Sequence, residues 1–342
     1  MEQPDLHAAA RDGSLAQIPA AALTVEALTK PNPAGSTPIH LAAKYGHLRQ
    51  LPPAALNREN LLRKNDAGYT PLHLAGRHGH LDQVPAAFLT RDNLVIRSNS
   101  GYTPLHQAAC GGALDQLPAG LLTTELVLTK TDTGNTLLHE AAEHGTLDRF
   151  PAQFLTRETL TAPNVSGETV LHVAAFNGHL DQVPRALLTA ENLLTKTSNH
   201  DTCLHAAAIA GHLDQIPPEV LTHDNLVLAS KSGHTPIHAA AESGYLKQIP
   251  RDRLTVDLLI TRNDFGDTPL HAAAVEGHLA DVPREFLNPA TLMIRNYNGG
   301  TPVGAAIRYG HADQLPPEFV PKPPNALDKL MFRLGLSRPP FG

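Results

Sequence analysis

The chain has 342 residues, 42% of them hydrophobic, which is enough for a sizeable interior and excludes a chain disordered by composition. Charged residues make up 18% and the net charge is −6, so there is no broad cationic field to gather a phosphate backbone, and nucleic acid is not an expected partner. Two cysteines, Cys110 and Cys203, are too few for a secreted disulfide scaffold and fit no metal-ligand spacing.

The N-terminal stretch MEQPDLHAAARDGSL has no basic region followed by an apolar core, and no run approaches the roughly 20 apolar residues that span a bilayer. A soluble, cytoplasmic protein without membrane insertion is expected, with non-classical secretion left open.

The dominant signal is self-similarity. PDLH begins at Pro4, TPIH at Thr37, TPLH at Thr70 and Thr103, TLLH at Thr136, TVLH at Thr169, TCLH at Thr202, TPIH at Thr235, TPLH at Thr268 and TPVG at Thr301, each 33 residues after the last. Glycine keeps the same beat from Gly13 to Gly310, and proline from Pro19 to Pro316. Ten units of one local geometry follow.

Within each unit a helix comes first. In the third, Thr70 supplies an N-cap oxygen, Pro71 suits a first helical position where its missing N–H costs nothing, and Gly79 ends the helix in a left-handed conformation. The second half is divided. Pro85, like Pro217 in the seventh unit, breaks the helical pattern, so Leu81 to Val84 should form a short turn before a new helical piece. Thr90 and Thr222, with Asn57 and Asn288 in the same slot, then cap a final short helix. An acid two residues later, such as Glu125, Glu191 or Asp224, should meet the free N–H groups of its first turn.

Segments such as KNDAGYT and TRNDFGDT read as projecting turns between units, with glycine two residues before the threonine. At that slot the sixth junction has His200, so a left-handed conformation at neighbouring Asn199 is one expected compensation.

The GxTPLHxAAxxGHL pattern in steps of 33 resembles the ankyrin repeat family over residues 1–321. The LDQIP and LTxENLL second half departs from the family and is similar to repeats of bacterial proteins. The resemblance implies an all-α, ankyrin-like solenoid of ten 33-residue units, with Leu72, Leu81, Val84, Leu89 and Leu94 covered by neighbouring units. It also implies that the motif histidine, His73 in the third unit, is a buried polar bracket bonded to the capping threonine and neighbouring backbone. The end units are atypical, and residues 322–342 form a tail in which 326–334 is read as a short capping helix.

Twenty histidines invite a metal or acid–base reading, but nine recur once per unit in the motif and six follow the helix-ending glycine. Ladders of that kind, spaced about 10 Å, do not converge on one point. The His212–Asp214 pair recurs in other units without a nucleophile, leaving Asp214 and Gln215 to face solvent or complete a local hydrogen-bond pattern. HExxH, CxxC, GxSxG and phosphate-loop motifs are absent. No catalytic residue, metal site or cofactor is expected, and Cys110 and Cys203 read as buried or incidental thiols.

Function should lie where the repeat does not prescribe the residue. One variable set precedes the capping threonine and includes Tyr69, Tyr102, Asn135, Glu168 and Asp201. The other ends the first helix and includes Lys44 with Tyr45, Arg77 with His78, Cys110 with Gly111, Glu143 with His144, Phe176 with Asn177, and Ile209. The resemblance implies that these positions line a concave partner-binding surface. Lys44, Tyr45, Tyr69, Arg77 and Tyr102 form an N-terminal candidate patch, tyrosine combining an apolar ring with a polar handle. Glu140, Glu143, Val173, Phe176 and Ile209 form a middle patch suited to a partner with a basic rim and an apolar anchor. The expected function is a non-catalytic scaffold that binds an unidentified protein or peptide as a monomer, the alternative being a structural or self-assembling module.

Overall fold

The computed structural model describes residues 4–320, so the helix expected at 326–334 lies outside the described residues. Among those residues every regular element is helical, and the one sheet-like pairing is an isolated bridge between Pro163 and Thr169. The chain divides into two compact units, Met1–Asn225 and Leu226–Gly342. Each is a stack of the same helical repeat, an ankyrin-like solenoid.

The third repeat shows how sequence becomes structure. Its first helix, Pro71–Arg77, starts with proline at the position whose N–H would be unpaired anyway, and the Thr70 hydroxyl accepts the His73 N–H. Gly79, at φ 76°, turns the chain out of the helix. A 3₁₀ turn, Leu81–Gln83, follows, Pro85 holds extended backbone at ψ 128°, and a second 3₁₀ turn, Ala86–Phe88, comes after it. Thr90 then caps the four-residue helix Arg91–Leu94. In the seventh repeat Pro217 is followed by a plain turn, the Val220 N–H reaching the Pro217 carbonyl at 2.8 Å. There the Thr222 hydroxyl accepts the Asn225 N–H at 3.3 Å. The second half is therefore divided as expected, because proline supplies no donor and its restricted backbone does not continue a helix.

Stacking buries what a single repeat cannot. Leu72, Leu81 and Leu94 have no exposed surface, and Val84 and Leu89 keep 5% and 6%. In the first unit the first helices pack in succession from Leu6–Asp12 through Pro38–Tyr45 to Cys203–Ala210; in the second, Pro236–Glu242 packs on Pro269–Glu276 and that on Pro302–Tyr309. Glycine permits a close approach of the third and fourth first helices: a Cβ on Gly111 would lie 2.4 Å from the Arg77 carbonyl oxygen and 2.5 Å from that of Gly76. This brings Arg77 and the buried Cys110, at the ends of adjacent first helices, close together.

Two local expectations are corrected. The left-handed residue of the sixth junction is His200 itself, at φ 66°, the one non-glycine residue with positive φ among those described. Gln215 neither faces solvent nor completes a local pattern: its side-chain N–H donates to the Gly178 carbonyl at 2.8 Å and its Oε1 accepts from the Leu180 N–H at 2.9 Å. Gln182 does the same to Gly145 and Leu147, and in the second unit Gln314 to Gly277 and Ala280. At Gln116, Gln182, Gln215 and Gln314 this glutamine is a bracket to the preceding repeat.

The first-turn acids also reach across repeats. The N-terminal N–H of each final helix is taken by the capping Thr or Asn side chain, as at Thr123 and Thr189. Glu125 meets Arg91 at 2.5 Å and Glu191 meets Arg157, each arginine belonging to the preceding repeat. All four side chains are more than half exposed, so each pair adds at most about 1 kcal/mol.

Candidate functional site: an acid-rimmed cleft

The motif histidines are structural. His73 Nδ1 accepts from the Thr70 N–H at 3.1 Å, leaving Nε2 to donate to the Tyr102 carbonyl one repeat on, at 3.0 Å. His40 and His238 make the corresponding reach to the Tyr69 and Asp267 carbonyls. Burial favours the neutral ring and holds His40, His73, His106, His139 and His238 at a pKa of about 4. They fix the turns that carry the variable residues and offer no general base near neutral pH.

The variable positions meet in two neighbouring clefts of the first unit. The larger apolar one, about 430 Å³, is lined by Val173, Phe176 and Ile209, with Glu143, Glu168 and Asp201 among its polar residues. Phe176 and Ile209 are each 50% exposed, an uncommon display for side chains that gain by burial. No lysine or arginine lines this cleft, so its field is negative. The second, about 410 Å³, is lined by Tyr69, Arg77, Tyr102, Glu140, Glu143 and His144. Glu143 lines both, so the two clefts adjoin.

The turns and helices explain these placements. Tyr69 and Tyr102 precede their capping threonines and lie edge-on to His73 and His106, with ring centroids 5.4 and 6.0 Å apart. Burial, with Glu140 adding to it, pushes the Tyr102 phenol above its usual range. Lys44 and Tyr45 line neither cleft and instead pair with each other, the ammonium 5.2 Å from the ring centre. Glu140 is not on the open surface: it is 1% exposed, its Oε1 accepting from the Asn135 amide at 3.0 Å and its Oε2 from the Cys110 thiol at 3.5 Å. Burial raises the Glu140 carboxyl above its usual range and pushes the Cys110 thiol up to about 12.

Glu168 and Asp201 stood among the variable pre-threonine residues, yet nothing in their spacing marked them as rim acids. Ser166, Thr197 and Asn199 come from junction turns, and their only earlier signal was membership of a projecting loop.

A family model of ankyrin repeats in three copies matches residues 6–86, and the model of a single ankyrin repeat matches residues 265–297. Those two stretches carry ankyrin repeats. The two matched stretches fall in different compact units, and the repeat register runs between them without insertion or deletion. No curated protein matches the chain. The helical repeat sets the framework, and the cleft residues stand at its variable positions and junction turns.

Proposed function

We propose that this ankyrin-repeat chain is a non-catalytic protein-binding scaffold whose first unit binds a peptide or protein segment carrying basic side chains beside an apolar anchor. The observation that carries this reading is the 430 Å³ cleft, in which half-exposed Phe176 and Ile209 stand among Glu143, Glu168 and Asp201 without a cation. An apolar anchor would cover the two side chains, while the acids would select its charge and speed encounter. Tyr69 and Tyr102 extend the surface as amphipathic contacts.

Selection from a randomised peptide library, followed by affinity measurement, tests the reading. Enriched peptides should combine Lys or Arg with a large apolar residue, and binding should weaken with salt. Phe176→Ala should cost at least about 1 kcal/mol of binding, the threshold of an energetically important contact. Glu143→Ala should slow association. Unchanged affinity in both folded variants would place binding elsewhere. Sedimentation at several concentrations separates this reading from self-assembly, which predicts mass increasing with concentration.

A further inference from the structure

At the second cleft three side chains from two repeats converge, Cys110 and Glu140 buried and His144 exposed. Cys110 ends the first helix of the fourth repeat, and Glu140 and His144, four residues apart, share a face of the next first helix, Leu137–His144. Cys110 Sγ, a Glu140 carboxylate oxygen and a His144 ring nitrogen lie within 4.8 Å of one another. We propose that Cys110, Glu140 and His144 form a binding site for a zinc-type divalent cation, clasping the fourth and fifth repeats and leaving a coordination position toward the cleft.

The geometry fits such an ion. Cys110 Sγ and Glu140 Oε2 are 3.5 Å apart. Metal–sulfur and metal–oxygen bonds of about 2.3 and 2.0 Å at a tetrahedral angle separate their ligand atoms by about 3.5 Å. Outer partners are already in place: the Asn135 amide holds the other carboxylate oxygen at 3.0 Å, and His144 Nδ1 lies 2.9 Å from the Glu140 carbonyl, a contact that directs its proton there and leaves the lone pair on Nε2. Thiolate, imidazole and carboxylate together suit zinc over magnesium or calcium.

The chemistry balances by proton exchange. Without a cation the Cys110 thiol donates its proton to Glu140 Oε2, and a divalent ion that binds the sulfur as thiolate releases that proton. Arg77 faces Cys110 and opposes the cation, although its charge also favours the thiolate.

Cobalt(II) titrated into the full chain reads the site directly, because a thiolate ligand gives a charge-transfer band in the near ultraviolet. The expected result is a one-to-one complex with that band, displaced by Zn²⁺. The band is lost in Cys110→Ser and kept in Cys203→Ser, whose thiol is fully buried elsewhere. His144→Gln should weaken cobalt binding at least tenfold, and Asn135→Ala by about 10–100-fold, as removal of an outer partner typically does. Circular dichroism establishes that each variant is folded. Absence of the band in the unaltered protein, or its survival in Cys110→Ser, would overturn the proposal.

Discussion

At position 200 one residue shows what the repeat demands of its turns. Equivalent junctions place glycine there, as at Gly68 with φ 78° and Gly167 with φ 77°, whereas His200 adopts φ 66° with a full side chain. Its N–H still reaches the Thr197 carbonyl at 2.9 Å, so the turn is kept despite the steric cost. A left-handed conformation costs a residue with a Cβ roughly 1–2 kcal/mol, partly offset by the extra chain entropy of glycine when unfolded. His200→Gly should therefore stabilise the first unit by up to about 1 kcal/mol, visible as a higher urea midpoint. A lower midpoint would mean that the imidazole makes a stabilising contact. The need for a left-handed turn was legible from the missing glycine; which of two adjacent residues adopts it was not, because Asn199 and His200 both tolerate that region better than most.

Among elements, the 3₁₀ turn Leu114–Gln116 changes meaning once its glutamine is followed. Gln116 donates to the Gly79 carbonyl at 2.9 Å and accepts from the Asp82 N–H at 3.1 Å, satisfying two backbone groups that the preceding repeat leaves open. Gln116→Ala should destabilise by about 1–3 kcal/mol, the cost of leaving such groups unpaired, less whatever water recovers. Chemical denaturation checks the magnitude, and hydrogen exchange at Asp82 should report its location. A variant as stable as the parent would reduce the bracket to a surface contact. The recurrence of LDQ was plain in sequence, but its partner is 37 residues away and is a backbone atom, which carries no side-chain signature.

For the molecule as a whole, the buried histidines set a response to acid. Their folded pKa near 4 lies below the roughly 6.5 of an unfolded chain, so above about pH 6.5 both states are neutral and the full stability is present. As pH falls from there toward 4 the unfolded chain takes up protons that the fold refuses, and stability declines. The urea midpoint should drop most steeply across that window, the contributions of separate repeats accumulating because stability in such arrays sums over repeats and interfaces. A flat midpoint down to about pH 5 would contradict the burial of neutral rings.

Recurrence in one chain was enough to determine the helical class, the capping threonines and the break at Pro85, because each is a local demand made in the same register, whereas the bracket at His73 was implied by the family resemblance. It also separated the prescribed positions from the variable ones, and so named Phe176, Ile209 and Glu143 as candidates. Only the tertiary structure decided that Glu143 lines both clefts, that Glu168 and Asp201 complete a negative rim, and that Glu140 lies beneath the surface beside Cys110. The physical reason is distance. Stacking places residues 30 apart, such as Cys110 and Glu140, 3.5 Å from one another, and the depth of a side chain depends on how closely the two helices that carry such a pair approach.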